Sequence, residues 1–222
     1  MSKKSGKKVN PYAKKPKKND FRLILPIAAI LCVCLIGCYA VLNKSDSNQP
    51  ADTAPGFKAT HNIEIDIANY GTVKAELYGE TAPVTVDNFV KLAKEGFYNG
   101  LTFHRIISGF MIQGGDPMGN GYGGSSETIR GEFSANGVNN PLSHTRGVLS
   151  MARSNAFNSA SSQFFIMHAD APHLNGQYAA FGKVTEGIEI VDQICAKTPV
   201  TNRNGAVAKE NQPVITAVRV IE

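Results

Sequence analysis

The chain has 222 residues, 42% of them hydrophobic and 18% charged, which is room for one ordinary folded domain with additions and excludes wholesale disorder. Its formal net charge of +5 is unevenly placed: residues 1–22 hold nine of the 23 Lys and Arg and one of the 18 acids, so that segment is +8 and the remainder −3. A nucleic-acid-binding domain needs a basic face on its folded part; this domain is slightly acidic, and nucleic acid is not expected as a partner.

The basic block, residues 1–22, runs directly into LILPIAAILCVCLIGCYAVL, residues 23–42, twenty uncharged and mostly apolar residues. As a helix this run spans about 30 Å, the thickness of a bilayer core. Pro26 lies near its start, where a helix tolerates proline best. The preceding lysines hold the N-terminus in the cytoplasm and send the rest of the chain outside. Two readings follow. In the first, 23–42 is an uncleaved transmembrane anchor. In the second, LIGC, residues 35–38, resembles a lipobox, the signal peptide ends before Cys38, and Cys38 carries lipid. The apolar YAVL that continues past Cys38 favours the uncleaved anchor. Both readings expect a cell-membrane protein with its domain extracytoplasmic.

Residues 43–60, rich in Ser, Asn, Asp, Pro and Gly, read as a flexible linker, and the domain is expected over 61–222. Its first stretch alternates Ile63, Ile65, Ile67 and then Val73, Ala75, Leu77 with polar residues, which predicts two half-buried strands joined by a turn at Asn69 to Gly71. A helix is expected from Pro83 to Gly96, with Phe89, Leu92 and Ala93 on its inward stripe. Short apolar runs follow at 101–107, 110–113, 148–152, 163–167 and 179–184. A second helix is predicted over 188–196 and a last strand over 214–221. Asn175-Gly176 is a tight-turn signal between two of the runs. Seven or eight strands with two short helices predict a mainly β fold, a closed antiparallel barrel with helical caps.

Three of the four cysteines, Cys32, Cys34 and Cys38, lie in the apolar run, so Cys195 is alone in the domain and is expected to be a buried, inert thiol. GNGYGG, residues 119–124, matches a dinucleotide-binding pattern, but no apolar helical stripe follows it, and it reads as a loop needing positive φ. The five histidines are scattered without metal-ligand spacing, so no metal is expected, and no serine sits in a nucleophile elbow.

What remains is FHRIISGFMIQGGDP, residues 103–117, which sets an arginine and a histidine in an apolar, strand-like run with nothing beside them to activate. This stretch, together with GVLSMARS (147–154), SSQFFIMHADAPHLNGQYAAFGKV (161–184) and APVTVDNFVKLAKEGFYNGLTFHR (82–105), resembles the cyclophilins, peptidyl-prolyl cis-trans isomerases, over essentially all of 61–222, and bacterial, membrane-anchored members in particular. The resemblance implies an eight-stranded barrel with two capping helices, catalysis at Xaa-Pro bonds in exported proteins, no cofactor, and a monomer acting on proline-containing polypeptides. By motif, Arg105 matches the catalytic arginine, with Gln113 beside it to orient the arginine or the substrate carbonyl. Phe110, Met111, Phe165 and Leu174 match the wall of the proline pocket, and Gln163 a polar groove residue. Ala152 and Arg153 match positions whose backbone runs along the substrate. The sequence departs from the common pattern at Ser108, His173 and Tyr178, where many members have proline, tryptophan and histidine; Tyr178 is still expected to line the pocket and His173 to be a substrate-binding residue. The rival reading is a proline-peptide-binding module of the same fold without turnover.

Overall fold

The computed structural model describes residues 56–221. The basic segment, the apolar run with Cys38 and most of the linker lie outside the described residues. In chain order the elements are β1 (His61–Ile67), β2 (Gly71–Leu77), α1 (Pro83–Lys94), β3 (Thr102–Ile107), β4 (Met111–Asp116), β5 (Val148–Met151), β6 (Phe164–Met167), β7 (Ala180–Glu186), α2 (Ile188–Lys197) and β8 (Ile215–Ile221). Three single 3-10 turns, Ser134–Asn136, Pro172–Leu174 and Lys209–Asn211, lie between them.

All the strand pairs are antiparallel, and they form one curled, half-barrel sheet in the order β3-β4-β6-β5-β7-β2-β1-β8. The end strands β3 and β8 do not pair along their length. Their N-terminal ends meet at one bridge, Thr102 to Val214, with Gly100 N–H donating to the Ile215 carbonyl and Ile215 N–H to the Leu101 carbonyl, both at 2.8 Å. The closed barrel expected from the strand count is thus represented by this short contact, and further along β3 its edge is met by residues 205–207 instead, through the bridge of Arg105 to Ala206.

The β1–β2 turn falls where the alternation places it, with Asn69 at φ 65° and the Tyr70 N–H returned to the Ile67 carbonyl. Asn175-Gly176 behaves differently from a hairpin turn. It ends the 3-10 turn Pro172–Leu174, with Gly176 at φ 70°, inside the long connection from β6 to β7. Those two strands are not neighbours, because β5 lies between them, so no two-residue turn can join them.

Strands β5 and β6 are buried at every position, and they read as continuous apolar runs because both of their faces are covered. Successive side chains still point to opposite faces. Phe164 and Ile166 enter a core with α1 and α2, whereas Phe165 and Met167 enter a second cluster with Met111, Leu174 and Phe110. In the core, Phe89 of α1 meets Tyr98, Phe164 and Phe181 at ring-centroid distances of 4.9, 5.3 and 5.3 Å. Packing of the domain starts ahead of β1, where Phe57 lies 5.5 Å from the Tyr78 ring.

Helix α1 has no side-chain cap of its own at Ala82. Its exposed amides are met from far along the chain: both carboxylate oxygens of buried Glu132 accept, from Val84 N–H at 3.0 Å and Thr85 N–H at 2.8 Å, and the Thr85 hydroxyl donates to the same group at 2.7 Å. A buried carboxylate at a helix N-terminus satisfies orphan donors and the positive end of the helix dipole together. Among the described residues no helix is long and apolar enough to cross a membrane.

Candidate active site

The second cluster opens into a groove of about 310 Å³ on the outer face of β3, β4 and β6. Arg105 on β3 and Gln113 on β4 are register partners, as are Gln113 and Phe165 on β6, so the pairing itself sets cation, amide and ring side by side. Met111, Phe165 and Leu174 are almost fully buried and form the floor. Phe110, in the β3–β4 turn rather than in a strand, forms one wall together with Ala152 and Tyr178. The Tyr178 ring stands edge-on to Phe165 at 6.0 Å.

The Arg105 guanidinium is held at two of its nitrogens. Nε donates to the Asn204 carbonyl at 2.9 Å, and Nη1 donates to Gln113 Oε1 at 3.1 Å and lies 4.0 Å from Met111 Sδ. Nη2 has no partner among the described residues, and no carboxylate there pairs with this arginine. Burial pushes the Arg105 pKa below its ordinary value, with the Tyr178 hydroxyl acting in the opposite sense; a guanidinium remains charged at neutral pH regardless.

Gln113 passes the restraint on. Its Nε2 donates to Gln163 Oε1 at 2.8 Å, and Gln163 Nε2 donates to the carbonyls of Gly123 at 2.7 Å and Gly121 at 3.1 Å. Arginine can only donate and the carbonyls can only accept, so each glutamine amide has one orientation that satisfies both of its ends. The glycine loop is fixed in turn by Asp116, which accepts from Met118, Asn120 and Gly121 N–H groups at 2.8, 3.0 and 2.6 Å. Burial opposes ionisation of Asp116, but these backbone donors outweigh it and hold the carboxyl below its usual range. GNGYGG is indeed a loop: Gly119 and Gly121 have φ of 62° and 89°, and a Cβ on Gly123 would lie 2.0 Å from Asp116 Oδ1.

Not every residue named from the sequence lines this groove. Gln163 faces an adjoining cavity of about 210 Å³ instead, with Tyr122, Ser154 and Ser161. His173 is exposed and stacks on the Phe110 ring at 5.7 Å. Arg153 borders both cavities, and its side chain is caged: Cζ lies 5.0, 5.1 and 4.7 Å from the ring centres of Phe133, Phe157 and Tyr178. Its Nε and Nη2 donate to the Gln177 carbonyl. The sequence reading did not find this cage, the Asn204 carbonyl or the role of Asp116. Phe133 and Asn204 are far from the motifs in sequence, whereas Phe157, four residues after Arg153, and Asp116 beside a glycine-rich loop were readable signals. Cys195 is half-buried rather than buried, and burial pushes its thiol up to about 11, the opposite of activation. Among the described residues no group of three or more His, Cys, Asp or Glu side chains is placed to hold a metal ion.

Residues 62–220 match the family model of the cyclophilin type peptidyl-prolyl cis-trans isomerases. The chain is 49% identical over 138 residues to peptidyl-prolyl cis-trans isomerase B of Bacillus subtilis, covering 62% of this chain and 87% of that one. It is 48% identical over 128 residues to a peptidyl-prolyl cis-trans isomerase of Helicobacter pylori, covering 57% and 76%. A crystal structure of a Cryptosporidium parvum cyclophilin type isomerase, solved in the presence of the dipeptide Ala-Pro, superimposes with a TM-score of 0.64 at 33% identity, over 72% of this chain and 99% of that one.

Proposed function

The chain belongs to the cyclophilin-type peptidyl-prolyl cis-trans isomerases and shares their activity, and we infer that Arg105, set over an apolar floor, carries the reaction. The observation behind this reading is a guanidinium anchored by Nε and Nη1, with Nη2 left over a groove that contains no acid.

The barrier to rotation about a peptide bond, about 18–20 kcal/mol, comes from delocalisation of the nitrogen lone pair into the carbonyl. At the twisted transition state that lone pair returns to the prolyl nitrogen. A donor aimed at the nitrogen therefore binds the transition state more strongly than either planar ground state, which is the condition for catalysis. Arg105 supplies such a donor without proton transfer. Its surroundings, apolar on one side and fixed by Gln113 and Asn204 on the other, make the interaction stronger than in water and require no reorganisation as charge develops. The pyrrolidine ring rests on Met111, Phe165 and Leu174 while the remainder of the substrate turns. No bond is made or broken, so nothing in the site has to act as a nucleophile or base.

The substrate class is proline-containing polypeptide, in keeping with the Ala-Pro dipeptide present with the Cryptosporidium relative. The same reading extends to the whole chain as a monomer at the cell membrane, its domain outside and assisting the folding of exported proteins. The +8 segment followed by twenty uncharged residues supports it. Intact mass of the membrane-extracted protein separates the uncleaved helix from a lipidated chain starting at Cys38. The contact between β3 and β8 likewise supports a barrel that closes fully.

The test is exchange NMR on an Ala-Pro peptide with the full chain in detergent, wild type beside Arg105→Ala. Wild type accelerates exchange, and the mutant loses on the order of 100-fold while its peptide-induced shifts persist. Peptide binding without acceleration by wild type would make the domain a recognition module instead.

A further inference from the structure

The wall residue Phe110 does not stand on a strand. It closes the β3–β4 turn, and Gly109 before it has φ of 76° and open space beside it. Its own turn supplies one hydrogen bond, from the Phe110 N–H to the Ile107 carbonyl at 3.0 Å. Further support comes from the residues that follow β6, where the Ala169 N–H reaches the Phe110 carbonyl at 3.3 Å and His168 makes two contacts. His168 N–H donates to the Phe110 carbonyl at 2.9 Å, and the His168 ring accepts the Gly109 N–H at Nδ1 at 2.7 Å. His168 therefore grips the turn on both sides of the peptide that leads into Phe110.

The second contact fixes the protonation state of the ring. A backbone N–H is a donor only, so Nδ1 must be the bare nitrogen and the proton must sit on Nε2. Nε2 lies 3.1 Å from Asp192 Oδ1 on α2, where that proton is accepted. Asp192 is kept ionised and in place by Arg146, whose Nη2 donates to Oδ2 at 2.7 Å and whose Nη1 donates to the His168 carbonyl at 2.7 Å. The Arg146 side-chain hydrogen bond is also the main reason that the Asp192 pKa lies below its usual range.

We propose that His168 is a positioning residue that holds Phe110 against the proline groove through the Gly109 amide, and that this hold exists only while Nδ1 is unprotonated. The inference rests on the isomerase reading above. A second proton on the ring can go only to Nδ1, where it faces the Gly109 N–H and replaces an attraction with donor–donor repulsion. The cationic ring stays at Asp192, because that contact strengthens as Nδ1 lets go. Acid thus removes the Gly109 contact and loosens the turn, while the backbone hydrogen bonds of Phe110 and the sheet remain. The charged groups around this step are Asp192 from α2, Arg146 ahead of β5 and Asp170, which accepts the Arg146 N–H at 2.7 Å. His173, stacked on the other side of Phe110, is a second titratable ring whose effect has to be separated.

The experiment uses the full chain in detergent as wild type, His168→Asn and His168→Ala. Activity on an Ala-Pro peptide is followed from pH 8 to pH 5, with the Gly109 amide shift read by NMR. Asparagine places an acceptor oxygen near the position of Nδ1 but cannot titrate. At pH 8 alanine lowers kcat/KM by about fivefold, the worth of one ordinary hydrogen bond, and asparagine rescues most of that loss. On acidification wild type declines toward the alanine variant as its Gly109 amide shift moves, while the asparagine variant holds level. Parallel pH profiles for wild type and His168→Asn would overturn the proposal and point to His173 or another group. A wild-type Gly109 shift that does not move with pH would overturn it as well, whatever the activity. If His168→Ala does not fold, these two comparisons still decide. Failure of wild type to isomerise the peptide at any pH would count against the functional reading, while the Gly109 shift would still report on the hold.

Discussion

The two faces of β6 use the same kind of side chain for different ends. Phe164 points into the core, where its ring has aromatic neighbours in Phe89, Tyr98 and Phe103 and no solvent exposure. Phe165, the next residue, points to the outer face, where it meets Tyr178 and the His144 ring and then an open groove. One residue is wholly enclosed, and the other is almost so, with a small edge left to the groove. Alternation along a single strand has divided stability from function, and slipping the register by one residue would exchange them. The difference also explains how an apolar surface remains uncovered: Phe165 is already buried to within 5% of its surface by its neighbours, so the open groove exposes little apolar area.

The sharpest way to break the comparison from the core side is Glu132→Ala. This buried carboxylate answers two amides and a hydroxyl at the start of α1 and takes no part in lining the groove. Leaving those donors unpaired costs on the order of 3 kcal/mol, which chemical denaturation reads directly. Well below the new melting temperature kcat/KM should stay within about twofold of wild type, because the change acts on the core face. A proportionate loss of activity would mean that the two faces are not separable.

A smaller effect comes from pH. Burial lowers the pKa of His144, with the Asn175 hydrogen bond opposing and nearby His173 adding to the shift, and burial likewise lowers that of His104. The unfolded chain therefore binds protons at these positions more readily than the folded one. Stability is full above about pH 6.5, the ordinary histidine value, and falls as the pH drops below it, by up to about 1.4 kcal/mol per pH unit for each ring. Asp116 and Asp192, whose values are lowered from 3.8, act only in more acid solution. His144 backs the groove floor directly, its ring stacked on Phe165 at 6.1 Å and its Nε2 2.9 Å from Ser150 Oγ. His144→Asn should flatten the slope between pH 7 and pH 5 in thermal melts; an unchanged slope would exclude His144 as its source.

Much of this was legible in the sequence, and where it was not the reason is physical. Period-two alternation located β1 and β2, and Pro83 and the apolar stripe located α1, because local patterning is enough for elements with one buried face. The doubly buried strands β5 and β6 appeared as bare apolar runs, so neither their order nor which residues faced the groove could be read from periodicity. Motif resemblance, rather than pattern, brought Arg105, Gln113 and Phe165 together, and the strand register sets them side by side. Glu132 at the start of α1, Asn204 behind Arg105 and Phe133 over Arg153 depend on contacts between distant segments and leave no local signal. In the β6–β7 connection Asn175-Gly176 marks a turn that is present, but a turn signal does not say which strands pair.

The most direct test of the division between faces compares Phe164→Ala with Phe165→Ala, measuring unfolding free energy and kcat/KM on both. Phe164→Ala should lose about 3–5 kcal/mol of stability and, while folded, keep activity within a few-fold. Phe165→Ala should lose less than half as much stability and the larger part of its activity. Equal losses of both quantities in the two variants would contradict the account.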